Sequence, residues 1–506
     1  MHEIITLQLG HQANYVGTHF WNAQESYFTY GEEAEPSAVN HDVHFRSGIG
    51  ADGSETFTPR ALLYDLKGGF GTLRRINALY EMTEEAERPT RSLWDHETTT
   101  RREPQIEMIQ YQKDLEAGIV PPAPLTTSEV RYWSDFNRVY YHPRSAVQIT
   151  EYELNSGVQP FEGFGLGQEL YRTLSREHDL VDRDFRPFAE ECDQLQGIQL
   201  ITSVDDAWSG FAAEYISELR DEYGKTGICT WGLERGDRVV REKQVNRTVS
   251  LAMALSTVAS LSSMYIPLRN PPSVVPSYAT VDPTSWWHTS ALLSAAIETS
   301  TLPTRLHGSA GRIGRMDDMA SFLNLNGGQK IAMLSMVVSG PDSTSTEDER
   351  EKAPKISAIT ETPRINLSWE QETISWRDRK EEYIFAEARV ARGFDEEEEA
   401  EEPEKAGDRH EPIVSRVSSS AAFPVVDSFP RIFPTMAAST PHGAEKTAIE
   451  TRLATSSAVI GRVKSVKEVV SFRVGVDERE ALMNDLDEIV DGYQHGWSDS
   501  EFDDDD

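Results

Sequence analysis

The 506-residue sequence predicts an α/β protein: a parallel-sheet, nucleotide-binding-type N-terminal domain, a smaller α+β second domain and a C-terminal helix. Three observations predict it. Strand-like apolar stretches alternate with helical periodicities through residues 1–300. Two of these strands pass through a sharp turn directly into an amphipathic helix. A third, Ala61 to Leu66, closes on Gly68, Gly69 and Gly71, as strands of nucleotide-binding sheets do.

Taken in order, residues 2–9 set Ile4, Thr6 and Gln8 against Ile5, Leu7 and Leu9; Gly10 then breaks the strand, and Asn14 to Tyr27 resumes at helical spacing. Gly31 to Thr56 is polar and aperiodic, which predicts a surface loop. Glu84 to about Gly157 is rich in charge, proline and aromatics (Trp94, Tyr111, Trp133, Tyr140, Tyr141) and reads as an insertion. Gly163 to Thr173 is a loose glycine cluster, a weak phosphate-loop signal that reads as a flexible turn. A helix over Glu169 to Glu191 follows.

The second strand-loop-helix unit is Gly197 to Tyr223. Ile198 and Leu200 alternate with Gln199 as in a half-buried strand, and Trp208, Phe211, Ala212, Tyr215, Ile216 and Leu219 stripe a helix. Glu214, Glu218, Asp221 and Glu222 take its solvent side. Asp205, Asp206 or Ser209 can cap the first turn, whose free N–H groups need acceptors. Such helix starts are where α/β proteins seat phosphate. Gly227 to Trp231 then reads as a strand, and Thr248 to Met264 and Thr284 to Ser300 as buried helices.

Lys330 to Ser339 is an apolar strand opening the second domain, residues 301–475. Its segments 341–355 and 395–408 are acidic and poor in large apolar residues, which predicts solvated loops. Phe423-Pro424, Phe429-Pro430 and Phe433-Pro434 repeat an aromatic-proline pair, read as packing onto the body rather than docking a partner. Leu482, Leu486, Ile489, Val490 and Tyr493 stripe a surface helix over 476–497, and 498–506 is an acidic tail.

The formal charge of −35 argues against a general nucleic-acid or anionic-membrane surface. The two cysteines, Cys192 and Cys229, are too few for a disulfide framework and read as small core residues in a reducing compartment. The N-terminus has the pattern of neither a signal peptide nor a presequence, and no run is apolar enough for a transmembrane segment. Any organelle association is therefore expected to be peripheral. No zinc-ligand spacing and no nucleophile elbow occur.

The order of these pieces resembles the tubulin superfamily, and more closely the Misato family of tubulin-like proteins in its fungal form. Leu9-Gly10-His11-Gln12-Ala13-Asn14-Tyr15-Val16-Gly17 resembles tubulin's first phosphate loop, and Pro59 to Leu66 its following strand, which ends on Asp65. Gly197 to Tyr223 lines up with the strand, glycine loop and helix of tubulin's signature. Asn246-Arg-Thr-Val-Ser falls where tubulin has Asn-Ala-Thr-Leu-Ser. Tyr265 and Asn270 fall near its base-stacking Tyr and base-reading Asn. Met483 to Leu486 with Tyr493-Gln494 resembles its last helix. The resemblance covers residues 1–300 and the C-terminal helix. It implies a candidate, degenerate nucleotide pocket made of Gly10, His11, Gln12, Asn14, Asp65, Ser203, Asp205, Asp206, Ser209, Gly210, Asn246, Tyr265 and Asn270.

The signature departs from the tubulin pattern. Where tubulin carries Gly-Gly-Gly-Thr-Gly-Ser-Gly, this chain has Val204-Asp205-Asp206-Ala207-Trp208-Ser209-Gly210. At ~4 Å and an effective dielectric near 20, one carboxylate opposes a phosphate by roughly 4 kcal/mol; two would cancel a micromolar affinity of about 8 kcal/mol. The acids either cap the helix or hold GTP through a bridging Mg²⁺. Trp208 also fills space that phosphates need. Tubulin's catalytic acid comes from an Asn-x-Asp loop. The corresponding run, Ala291 to Leu306, goes from a helix to a Pro303-containing strand without it, and its nearest carboxylate, Glu298, reads as a helix-surface residue. Gly308 to Gly314 reads as a flexible loop.

What the resemblance implies is a non-enzymatic protein of mitochondrial distribution, morphology and inheritance, in the cytoplasm and peripherally on mitochondria. No cofactor is required by this reading, with GTP and Mg²⁺ the alternative. Protein partners, cytoskeletal or chaperonin, are expected, and nucleic acid is not. The rivals are a polymerising GTPase and an adaptor in chaperone-assisted assembly.

Overall fold

The computed structural model describes residues 2–29, 36–50, 53–73, 106–308, 313–339, 362–369, 382–394, 412–434, 445–473 and 475–494. The predicted acidic loops at 341–355 and 395–408, the tail and the first part of the insertion lie outside these residues.

Six strands form a parallel sheet in the order β5-β4-β1-β6-β7-β8: β1 is Glu3–Leu9, β4 Ala61–Lys67, β5 Ala146–Glu153, β6 Leu195–Ser203, β7 Gly227–Arg235 and β8 Met264–Asn270. Parallel strands need crossover connections, which place helices on both faces. Among the described residues the α-helices are, in chain order, α1 (His11–Glu25), α2 (Gln110–Glu116), α3 (Phe164–His178), α4 (Arg186–Glu190), α5 (Ala207–Glu222), α6 (Arg241–Ala254), α7 (Trp286–Ser300), α8 (Met316–Leu323), α9 (Ala458–Arg473) and α10 (Val476–Gly492). One core joins α1, α7 and α8 to one face of the sheet. A second core packs α3, α5, α6, α9 and α10 on the other.

Double cover changes the reading of β6. Every residue from Gln196 to Ser203 is buried, so the Ile198-Gln199-Leu200 alternation separates two interiors rather than core from water. The predicted insertion is also shorter than its sequence span, because β5 lies inside it and pairs with β4 as the sheet edge. Gly31 to Thr56 is not wholly loop: β2 (Phe45–Ile49) and β3 (Glu55–Pro59) form an antiparallel hairpin.

Phe164 to Thr173 is helical, not a flexible turn, with Gly163 as the residue before the first turn. Gly167 serves close packing: a Cβ on it would lie 1.7 Å from the Ala207 carbonyl oxygen, and one on Gly210 of α5 1.9 Å from that of Phe164. Helices α3 and α5 thus cross backbone to backbone. The helix expected over Thr248 to Met264 instead spans α6 and a π-helical turn, Leu255–Ala259, before β8 begins.

The second sheet runs β10-β9-β14-β11-β12, with β13 on β14: β9 is Met333–Ser339, β10 Ile365–Asn366, β11 Ile384–Arg392, β12 Ile413–Ser419, β13 Phe423–Val425 and β14 Glu445–Ser456. Its inner face shares the α1/α7 core. Phe423, Phe429 and Phe433 are buried in that core, as packing rings. Helices α9 and α10 fold back as a hairpin onto α6 and the π turn, where the Tyr493 hydroxyl donates to the Ile331 carbonyl at 2.7 Å and accepts from the Ile331 N–H at 2.6 Å.

Candidate functional site

Parallel strands end on one edge of the sheet, and the polar residues of the candidate site gather there because the chain turns into a helix after each strand. Gly10 links β1 to α1 with φ +97°, a backbone conformation that favours glycine. His11 Nδ1 lies 3.0 Å from Asp65 Oδ2 at the end of β4. That same oxygen accepts from Asn14 Nδ2 at 3.1 Å and from the Trp133 indole N–H at 3.2 Å, while Asp65 Oδ1 accepts from the Leu66 N–H. Asp65 is thus spent on holding α1 and the 133–136 turn. Gln12 is buried, and its Oε1 has no hydrogen-bond partner among the described residues.

At the end of β6, Ser203 is buried and Asp206 caps α5, its Oδ1 accepting from the Trp208 N–H at 2.9 Å. Ser209 donates to the Asp206 carbonyl at 2.5 Å, and Gly210 lies in the α3 crossing. Asp205 Oδ2 accepts from the Arg235 N–H at 3.0 Å. Arg235 reaches Asp206 at 3.5 Å, and Arg247 approaches Asp205 at 3.9 Å while binding Asp237 at 2.9 Å.

These two arginines escaped the sequence reading, and they change its electrostatics. Two guanidinium groups sit among the two carboxylates, so the bare like-charge penalty does not apply. The signal was present in the basic run that starts at the last residue of β7, Arg235, Arg238, Arg241, Lys243 and Arg247. Burial nevertheless dominates. It raises Asp205 to about 7, helped by Asp206 and opposed by Arg235 and Arg247. Asp206 is raised too, first by burial. Burial pulls Arg235 down, but Asp206 and Asp205 outweigh it and raise it.

The Trp208 ring also restricts the space over Gly10. A Cβ on Gly10 would lie 2.7 Å from the Trp208 indole, so in this conformation that ring occupies the ground directly over the glycine. Phe161 stands beside the ring, 5.3 Å away centroid to centroid, while Trp286 lies 5.6 Å from His11 and under the Arg235 guanidinium at 5.9 Å.

The base-end residues are divided, Asn246 facing solvent while Asn270 and Tyr265 approach Arg235 and Asp205. Asn246 is exposed in the middle of α6. Asn270 is at the sheet edge, paired in register with Arg235. Tyr265 pairs with Thr230 in mid-sheet, five residues before Asn270, roughly 16 Å along the strand and on its opposite face. Its ring is buried against Gly232, and burial raises its hydroxyl well above the ordinary value, with Glu234 and Asp205 adding to the rise.

The run after α7 differs from its expectation as well. Pro303 lies in a 3₁₀ turn, Leu302–Arg305, not a strand. Glu298 is not a surface residue: it is wholly buried between Arg305 and Arg392. Among the described residues, no cluster of three or more His, Cys, Asp or Glu could hold a metal ion, and no helix is long and apolar enough to cross a membrane.

Two family models match the chain. The Misato Segment II tubulin-like domain covers residues 2–117, and the Tubulin domain covers residues 122–306. Protein dml1 of Aspergillus niger is 46% identical, over 100% of both chains. Protein dml-1 of Neurospora crassa is 43% identical and Protein DML1 of Yarrowia lipolytica 29%, each again over 100% of both chains. The fold, the order of the motifs and these relatives agree, and the chain belongs to the Misato family of tubulin-like proteins.

Proposed function

We propose that this chain is a non-catalytic, tubulin-like structural protein acting in the distribution, morphology and inheritance of mitochondria and their DNA. It works in the cytoplasm and on the mitochondrial surface, attached peripherally through protein partners. The non-catalytic part rests on one observation, the Trp208 ring packed over Gly10 where a phosphate loop needs bare backbone. The organelle part rests on the Misato relationship. Nucleotide is not required in this reading.

Pairing of Asp205 and Asp206 with Arg235 and Arg247 supports a second reading, a protein that retains GTP with Mg²⁺ without turning it over. An adaptor role resting on the aromatic-proline segment has less support, since Phe423, Phe429 and Phe433 are buried and unavailable to a partner.

Titration calorimetry of the full chain with GTP and Mg²⁺ separates the first two. No saturable heat at micromolar nucleotide supports the scaffold; micromolar binding that disappears in Asp206→Arg favours the second. In cells depleted of the protein, mitochondrial networks and DNA inheritance are expected to fail. The Asp205→Ala/Asp206→Ala variant should restore both, and an inability to do so would sink the nucleotide-independent role.

A further inference from the structure

The segment joining β5 to α3, Asn155 to Gly163, bends at both ends and is largely exposed between them. Asn155 and Gly163 have φ of 58° and 91°, and a Cβ on Gly157 or Gly163 would meet nothing within 4 Å. Gly157 to Pro160 are exposed, with Val158 at 95%. Its hydrogen bonds are local, from Ser156 N–H to the Glu153 carbonyl and from Gln159 N–H to Ser156 Oγ.

Two side chains hold it down. The Phe161 ring is buried, 5.3 Å from Trp208 and 4.8 Å from Tyr152. Glu162 Oε1 lies 2.5 Å from Lys243 Nζ on α6, with both side chains about two-fifths exposed (45% and 39%). An ion pair this open is weak and screened by salt. A segment with one buried ring, local hydrogen bonds and glycines at its bends opens at a small fraction of the global unfolding free energy.

We propose that residues Asn155 to Gly163 are a lid over the sheet edge, latched by Glu162–Lys243 and plugged by Phe161 on Trp208. Opening lifts Phe161 from the Trp208 ring and leaves that ring as the last cover over Gly10. Lys243 latches the lid, while Asp206 and Arg235 also face Glu162, Asp206 opposing and Arg235 favouring the closed position. This inference goes beyond the scaffold reading and stands on the lid's own contacts.

Acrylamide quenching of tryptophan fluorescence in the full chain tests it, with Trp208→Phe used to isolate the Trp208 component. Phe161→Ala and Glu162→Lys should raise the quenching constant of that component at least twofold, and Glu162→Lys/Lys243→Glu should return it to the wild-type value. Unchanged quenching in Glu162→Lys, or a charge swap that restores nothing, overturns the latch. If the variants fail to fold by circular dichroism, hydrogen exchange on the wild-type chain decides. Amides of 155–163 should exchange at least tenfold faster than those of α3 and α5; equal protection overturns the lid. Because no nucleotide enters either measurement, its outcome is independent of whether GTP binds.

Discussion

Glu298 on α7 and Arg392 on β11 form an ion pair with no solvent exposure on either side chain. Arg305 closes the other side at 2.6 Å, and Gln24 of α1 and Tyr27 just beyond it donate to the same carboxylate oxygen at 3.2 and 2.8 Å. Arg392 also donates to the carbonyls of Ala421 and Ala422. One carboxylate therefore ties the first sheet's helices to the second sheet.

Removing one partner of a buried pair leaves an uncompensated charge, so Glu298→Ala is expected to lose about 3–5 kcal/mol of stability. Urea denaturation measures it. Burial pushes the Glu298 carboxyl up, but Arg392 and Arg305 outweigh it and hold it below the ordinary glutamate value. Its contribution is therefore complete above the unfolded value, about 4.3, and is lost as pH falls through the lower folded value. A wild-type minus Glu298→Gln stability difference that persists unchanged to pH 2 would contradict this.

Asp205 has the opposite sign. Its folded value, raised to about 7 chiefly by burial and then by Asp206, means the native state binds the proton more tightly. Its contribution to stability is present at low pH and falls as pH rises from the unfolded value, about 3.9, to about 7. Asp205→Asn removes that slope. The variant should gain stability relative to wild type across this window, as read from chemical denaturation at pH 4, 5.5 and 7.

The α3–α5 crossing leaves no room for a methyl group at either glycine. Gly167→Ala and Gly210→Ala should each cost about 1–3 kcal/mol through overpacking, although alanine is the better helix former. Thermal melts that show either variant as stable as wild type would refute the backbone contact.

Tyr493 makes two hydrogen bonds to Ile331 from a fully buried hydroxyl. Tyr493→Phe leaves both backbone groups unpaired, a loss of about 1–3 kcal/mol. Faster hydrogen exchange at Ile331, with β6 unchanged, would place the effect at the α10 anchor.

The strand-turn-helix units, the buried α7 and the stripe of α10 were legible because period and turn chemistry are local properties. Asp206 was readable as a cap for the same reason. What could not be read was anything depending on residues far apart in the chain. Sequence placed Glu298 on the surface because a lone glutamate on a helix is usually there; only folding brings Arg392, 94 residues away, to face it. Gly167 looked like flexibility until a second helix lay across it. Tyr265 and Asn270 are close in sequence, yet a strand's period of two sends them to opposite faces.

At the candidate site the division is the same. By itself the sequence determined the family, the sheet and the acidic replacement of the glycine loop. Tertiary structure decided what that replacement means. It sets Arg235 and Arg247 beside Asp205 and Asp206, and it swings Trp208 over Gly10, 198 residues away in the chain. The reason is physical: charge and volume act through space, and only the folded chain fixes which charges and which rings share it.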